Sequence, residues 1–387
     1  MDTVKVLLAS FNSWHMDHSA KAYEQCGALA GLYIANKNAR GVSSDLYHRC
    51  WPFHLCMKPL YHTVPPLEWQ QVQYRCFMGV FNHWFKKQTL PEFNVVQAIY
   101  WGAKAPFDIA EQCGALKVLD ATNSYPTTYD GYERREMALW GKKVRPSAPA
   151  HIIEQVARDV ERADVVLCPS IWVKDSMIAN GVPLEKCFIN PFGVNTEVFK
   201  ERTELPDHPR FVCVGSICLR KGQQYLFQAF ERVKKRYPDA ELVCLGEILS
   251  DFKPLWKRWE NLVTYPGSVS HQELAELYTQ STAFILPSTE EGFSRAIIEA
   301  MASGLPILAT YESGSTTLVD DGVEGLIFQS RNVDAIEVAM IEMIENPARS
   351  LDLGRAAAQR GRKKNTWQDY GERNLQIFRT VLGEKKS

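Results

Sequence analysis

Glu291 and Glu299, with seven residues between them, sit in the stretch Pro287-Ser-Thr-Glu-Glu-Gly-Phe-Ser-Arg-Ala-Ile-Ile-Glu-Ala-Met-Ala-Ser-Gly-Leu-Pro306. The stretch follows an apolar run, Thr282 to Leu286, that reads as a buried parallel strand, and it opens a helix whose N-cap is expected at Ser294. A strand, loop and helix in that order belong at the carboxyl edge of an open α/β sheet, where ligands bind. The free N–H groups of Gly292, Phe293 and Ser294 face outward there with the positive end of the helix dipole. An anion is expected at that point. The two carboxylates flank it on separate elements and can accept hydrogen bonds from sugar hydroxyls. Glu299 lies among Ala296, Ile297, Ile298, Ala300, Met301 and Ala302, which leaves almost no polar face for it to belong to. Ile297, three residues after Ser294, excludes a capping box.

A second element contributes charge. The strand Phe211 to Gly215 runs into Ser216-Ile-Cys-Leu-Arg-Lys221-Gly222, which puts a small residue, two cations and a glycine at a sheet edge. Arg220, Lys221 and the helix terminus at Ser294 could neutralise a departing diphosphate, which is electrostatic stabilisation where charge develops, with no metal cluster evident. The amino-terminal strand is followed by Phe11-Asn-Ser-Trp-His-Met-Asp-His18, which lacks the glycines of a dinucleotide-binding turn. His15 and His18 have no third ligand at helical spacing, so His15 reads as an acceptor contact or plain packing and no metal is expected. Asp120-Ala-Thr-Asn-Ser-Tyr-Pro126 ends a strand at a cleft edge, where Asn123 and Tyr125 lie.

The elements that position these residues form two βαβ chains. In the first half, strands are expected at Val4 to Ala9, Leu29 to Ala35, Val95 to Trp101, Leu116 to Ala121, Val165 to Pro169 and Cys187 to Asn190. They alternate with helices such as His18 to Gln25, His151 to Arg162 and Val173 to Ala179. In the second, strands at Phe211 to Gly215, Leu242 to Gly246, Leu262 to Tyr265, Ala283 to Leu286, Pro306 to Ala309 and Gly325 to Phe328 alternate with helices at Tyr225 to Lys235, Glu273 to Thr279, Arg295 to Ala302 and Val333 to Glu345. Such alternation implies parallel sheets with right-handed crossovers and helices on both faces. The polar, proline-containing run Lys200 to Arg210 reads as the linker. Between Pro66 and Lys87, Phe77, Met78, Phe81, Trp84 and Phe85 fall on one helical face beside Lys86 and Lys87. That face suits a core helix best, with a membrane-surface helix or a stacking platform for acceptor sugars as alternatives.

Composition bounds the rest. A chain of 387 residues with 45% hydrophobic and 23% charged residues is ordinary globular material and long enough for two domains. A net charge of −1, with both signs dispersed, lacks the electrostatic footprint of a nucleic-acid binder. The ten cysteines form no Cys-x-x-Cys pair, and Cys168, Cys213 and Cys244 lie in apolar strands as small hydrophobes, which favours a reducing, cytoplasmic compartment. No apolar run is long enough for a membrane span, and the amino terminus reads as a strand.

The segment from Pro287 to Pro306 resembles the Glu-any-seven-Glu motif of retaining glycosyltransferases with the GT-B fold, of the family 4 (glycosyl transferases group 1) type. Further blocks agree in order: Ala163-Asp164-Val-Val-Leu-Cys-Pro-Ser170-Ile-Trp172, Gly181-Val-Pro-Leu-Glu-Lys186, Pro191-Phe-Gly-Val-Asn195, Val214-Gly-Ser-Ile-Cys-Leu-Arg-Lys-Gly222 and Asp321-Gly-Val-Glu-Gly-Leu-Ile-Phe328. They cover about residues 150 to 330, and the first 110 match only loosely. The resemblance implies two Rossmann-like, doubly wound parallel-sheet domains facing a central cleft. Residues 1–199, joined by a carboxyl-terminal helix at 367–387, would form the acceptor side, and residues 200–366 the donor side. It implies transfer of a hexose-type sugar from a nucleotide diphosphate sugar to a glycan or glycoconjugate acceptor, with retention and without cofactor or metal. In those roles Glu291 would hold the donor sugar, Glu299 the ribose hydroxyls, and Lys221 with Arg220 the diphosphate, alongside Ser216, Gly292, Phe293 and Ser294. Many relatives carry Arg where this chain has Ser216, and a His where Tyr125 stands; only this family resemblance makes Asn123 and Tyr125 candidate sugar or acceptor contacts. A nucleotide-sugar epimerase of the same fold and a non-catalytic sugar-nucleotide-binding scaffold are the alternatives. The chain would act as a monomer or homodimer in the cytoplasm, with peripheral membrane contact through the aromatic helix as the variant reading.

Overall fold

The computed structural model describes residues 3–11, 15–35, 41–52, 67–148, 150–363 and 365–384. The first half runs β1 (Val6–Ser10), α1 (Met16–Gln25), β2 (Leu29–Ile34), β3 (Tyr47–Arg49), α2 (Leu67–Lys86), β4 (Val95–Ile99), α3 (Lys104–Cys113), β5 (Leu116–Asp120), α4 (Pro126–Leu139), α5 (Ala150–Arg162), β6 (Val165–Cys168), α6 (Ile171–Ala179) and β7 (Cys187–Ile189). The second runs β8 (Arg210–Val214), α7 (Gln223–Arg236), β9 (Glu241–Leu245), α8 (Lys253–Trp256), β10 (Thr264–Gly267), α9 (His271–Thr279), β11 (Ala283–Leu286), α10 (Arg295–Ala302), β12 (Ile307–Thr310), β13 (Gly325–Phe328), α11 (Val333–Glu345), α12 (Pro347–Arg362) and α13 (Trp367–Glu384).

The strands assemble into two separate parallel sheets, ordered β3-β2-β1-β4-β5-β6-β7 and β10-β9-β8-β11-β12-β13. Each contains the doubly wound order, with its reversal between β1 and β4 in one and between β8 and β11 in the other, and ligands bind at the carboxyl ends of strands at such points. Runs such as Val6–Ser10 and Ala283–Leu286 are buried along their whole length, as expected of strands covered by helices on both faces. The expectation of two doubly wound domains is met.

The chain passes twice between the two halves. Val194 forms a parallel bridge with Thr366, and its N–H donates to the Asn365 carbonyl at 2.9 Å. Gly193 lets these two passages touch, since a Cβ there would stand 2.4 Å from the Trp367 nitrogen. Helix α13 then packs along α1, burying Leu375 and Phe378 in the core of the first half. Lys200 to Arg210 is not a free linker. Buried Arg202 donates to the carbonyls of Ser281, Thr282 and Ser350 and fastens the run to the second half. The crossing lies earlier, where the chain must be extended and narrow.

On α2, Phe77, Phe81 and Phe85 are buried in the core with Phe11 and Tyr33, so this aromatic face is an interior one. The side chains of Leu67, Trp69 and Tyr74 lie outside the described residues. Among the described residues no helix is long and apolar enough to cross a membrane.

One buried acid in this frame titrates abnormally. Asp159 on α5 is fully buried; its Oδ1 accepts from the Gln155 amide at 2.8 Å and its Oδ2 has no hydrogen-bond partner. Burial pushes its pKa up to about 6. A folded-state value above the unfolded one gives stability at low pH that is lost as pH rises through 6. Asp159→Asn should therefore stabilise the protein at pH 7.5 by about 1 kcal/mol, less than the full linkage because an orphan amide remains. Urea unfolding should show that gain vanish at pH 4.5.

Candidate active site

The loop from β11 to α10 faces the loop from β5 to α4 across the junction of the two halves. A Cβ on Gly292 would stand 2.4 Å from the Thr122 carbonyl oxygen, so the two loops touch backbone to backbone where only glycine fits. Ser170 Oγ donates to the Gly292 carbonyl at 2.6 Å, holding the loop from the other side. Gly292, Phe293 and Ser294 are buried, and their N–H groups donate to no described group. Ser294 takes the N-cap position in extended conformation, but its side chain makes no cap bond. These amides are left at the positive end of α10, which suits an anion.

Glu299 follows in α10, half-buried among apolar neighbours, and no described group donates a hydrogen bond to its carboxyl. Burial raises its pKa to about 7, with only the charge of Arg295, one turn earlier, opposing the rise. A carboxylate in this state lacks partners that a ligand's hydroxyls could supply.

Glu291 is differently placed. Its Oε2 accepts from Arg220 at 3.2 Å and is paired with the Lys221 ammonium. Burial works to raise its pKa, but Lys221 and Arg220 outweigh that and hold it low. Both cations come from the single 3₁₀ turn Leu219–Lys221 after β8. Lys221 Nζ lies beside Gly215, 3.6 Å from where a Cβ would stand, and so remains at the edge of β8 next to half-buried Ser216.

Arg220 meets Lys221 on the same Glu291 oxygen but has further partners. Its guanidinium donates to the Glu290 carbonyl at 2.6 Å, meets the carboxylates of Glu290 and Glu291 at 3.2 Å each and Glu133 at 3.7 Å, and stacks over Tyr129. With three carboxylates and an aromatic ring around it, Arg220 is more heavily engaged in the unliganded protein than the sequence suggested. Glu290, which sequence reasoning passed over, is fully buried between Arg220 and Ser124 Oγ, the latter at 2.7 Å. Its only sequence signal is adjacency to Glu291.

Two residues expected to touch sugar or acceptor are turned away. His15 is 3% exposed, its Nε2 lies 2.7 Å from Asp120 Oδ2, and its ring packs 4.2 Å from that of Phe192, so no face is open to a ligand. Asp120 Oδ2 also accepts from Gln97 and Tyr370, making this a closed polar network in the first half's core. Tyr125 caps α4 with its backbone, takes the Ser176 hydroxyl at its N–H (2.9 Å), and packs against the first half's core. Asn123 does reach the junction, with its Cα and Oδ1 against Gly292. Ser124, one residue before Tyr125, is the one that crosses to the other half.

Helix α4 closes the junction further out. Glu136, fully buried, pairs with Arg331 at 2.5 Å and accepts from the Gln224 amide and the Tyr225 hydroxyl, each at 3.0 Å. Arg331 adopts a left-handed backbone (φ 65°) to make this contact, a conformation unusual for a residue with a side chain. Among the described residues no group of three or more His, Cys, Asp or Glu side chains is gathered to hold a metal.

Residues 194–360 match the family model described as Glycosyl transferases group 1. The chain is similar to the GDP-mannose-dependent alpha-(1-6)-phosphatidylinositol monomannoside mannosyltransferase of Mycolicibacterium smegmatis, 24% identical over 76% of this chain and 78% of that one. It is also similar to the GDP-mannose-dependent monoacylated alpha-(1-6)-phosphatidylinositol monomannoside mannosyltransferase of Corynebacterium glutamicum, at 25% over 74% and 77%. Among solved structures, sucrose-phosphate synthase from Thermosynechococcus elongatus shares the fold with a TM-score of 0.76 at 18% identity, covering 98% of this chain and 100% of that one. HepE of Anabaena, solved in complex with UDP-glucose, does so with a TM-score of 0.65 at 14% identity, over 98% and 99%.

Proposed function

We propose that the chain is a glycosyltransferase of the group 1 type and that it moves a hexose-type residue from a nucleotide diphosphate sugar to a hydroxyl of a carbohydrate or glycoconjugate acceptor, with retained anomeric configuration. The observation that carries this reading is the pairing of an unpartnered Glu299 carboxyl with free amides at Gly292–Ser294 on the same loop and helix, across from Lys221. Diol, phosphate and leaving-group charge each find a partner in that constellation. The relatives named for GDP-mannose and the neighbour holding UDP-glucose support a nucleotide-sugar donor.

Glu299 binds the ribose hydroxyls, Lys221 with the α10 amides and Ser216 holds the diphosphate, and Glu291, released from Lys221, receives the donor sugar. Asn123 contacts sugar or acceptor from the first half. The acceptor hydroxyl attacks from the face the diphosphate leaves and passes its proton to a donor phosphate oxygen, so no side-chain base is needed. Lys221 and the amides supply the positive charge, which makes a metal unnecessary; activity should survive EDTA. Unpaired, strand-buried cysteines such as Cys168, Cys213 and Cys244 support a reducing, cytoplasmic setting.

A thermal-shift screen of UDP, GDP and ADP with their hexose derivatives tests the reading. One nucleotide series should stabilise the protein, and NMR of the product with that donor should show the donor's anomeric configuration. Stabilisation by none of them, or an inverted product, would overturn it.

A further inference from the structure

A cavity of about 160 Å³ lies behind the donor cluster, at the carboxyl ends of β4 and β5. Tyr100, Trp101 and Tyr129 line it with Ile152, Ile153 and Val156 of α5, while Asn123, Ser124 and Ser147 supply the polar atoms. Among the described residues its lining holds no charged side chain. Two of its wall residues are wired to the site already described, Ser124 through its 2.7 Å bond to Glu290 and Tyr129 through its stack with Arg220.

The walls are fixed. Ser147 donates from both its N–H and its hydroxyl to Asp130 Oδ1, at 2.6 and 2.9 Å, which ties the loop before α5 to α4. Trp101 sits at φ 71°, a backbone conformation that costs energy in any residue with a side chain and collects at functional sites. The hollow is partly open and its lining mixes polar atoms with an aliphatic wall, so its size suits a ring-sized guest with one apolar face. A lining without charge among the described residues favours an uncharged occupant. Three aliphatic side chains on one wall favour an apolar guest over a bare sugar ring.

We infer that this cavity receives the neutral, ring-sized apolar aglycone of the acceptor, so that the preferred acceptor is an uncharged glycoside rather than a free sugar. The inference rests on the transferase reading for the word acceptor, but the binding itself does not. Asn123, shared by the cavity and the Gly292 contact, marks the side on which the acceptor's sugar would meet the donor.

The test is ligand-observed NMR on the full chain, without donor, using paired phenyl and methyl glycosides of mannose and glucose. Phenyl glycosides should bind about tenfold more tightly than their methyl partners, with saturation transfer strongest on the ring protons. Ala148→Trp and Ile153→Trp, each filling the hollow, should abolish that preference while nucleotide binding by calorimetry stays as in the parent. Equal binding of phenyl and methyl glycosides by the parent chain overturns the inference, as does a preference that survives in both folded variants. Phenyl binding with nucleotide binding absent would uphold the cavity and sink the transferase reading; the reverse pattern would do the opposite.

Discussion

Glu299→Ala should weaken binding of the nucleotide sugar about 100-fold at pH 8, because hydrogen bonds to a charged acceptor are worth about 1.5–3 kcal/mol each and a ribose offers two hydroxyls. The effect is large because the carboxyl has no other partner to fall back on. It also carries a pH signature. With its folded pKa raised to about 7 by burial, Glu299 is largely ionised at pH 8 and largely protonated at pH 6. If the hydroxyls bind the carboxylate, affinity should fall about tenfold between those values and about half a proton should be released on binding at pH 7. The measurement calls for a nucleotide sugar, since its phosphates are diesters with no proton to lose in this range, whereas a terminal phosphate titrates near pH 6. Glu299→Gln should abolish the pH dependence. In the unliganded protein the sign is opposite: a raised folded pKa gives stability at low pH that is lost as pH rises through 7, so the Gln variant should be the more stable protein at pH 8. Calorimetry showing unchanged affinity in Glu299→Ala would remove its assigned role.

Much of this site was legible in the sequence because it depends on one element's internal spacing. The strand β11 and helix α10 were read with the bounds they adopt, since an apolar run, a glycine-containing loop and an uninterrupted helical stretch leave little choice. What failed involves the direction of neighbouring side chains. Glu290 is fully buried and Glu291 only partly so, although both carboxylates reach Arg220 at 3.2 Å, and the sequence does not say which acid takes which place. In the bend after β5, likewise, Ser124 crosses the junction while Tyr125 packs back against the core. Arg220 and Lys221 occupy one tight turn and share Glu291 Oε2, but Arg220 also reaches Glu290 while Lys221 runs along Gly215.

Helix α4 could not have been placed from periodicity. Its one fully buried residue is Glu136, a charge, and the apolar stripe that normally betrays a docked helix is missing. The closure of the two halves through Glu136 and Arg331 is written in long-range partners 195 residues apart, which no local pattern records. His15 belongs to the same class, since its partner Asp120 comes from a different strand end.

The second large effect concerns the exchange at Lys221. In the unliganded protein Glu291 occupies the ammonium that the proposed diphosphate site would use, so on that reading binding would displace the carboxylate. Lys221→Ala should lower turnover about 1000-fold, the loss expected when a charge aimed at a developing anion is removed, and should weaken nucleoside diphosphate binding as well. Glu291→Gln should act in opposite directions on the two measurements. Without an internal competitor Lys221 is free, so nucleoside diphosphate should bind about three- to tenfold more tightly, while transfer falls because the neutral amide holds the donor sugar less well. A residue that merely braced the fold would shift both readings the same way. Unaltered diphosphate affinity in Lys221→Ala would place the leaving group elsewhere. Weaker rather than tighter binding in Glu291→Gln would mean that the Glu291–Lys221 pair shapes the pocket instead of guarding it.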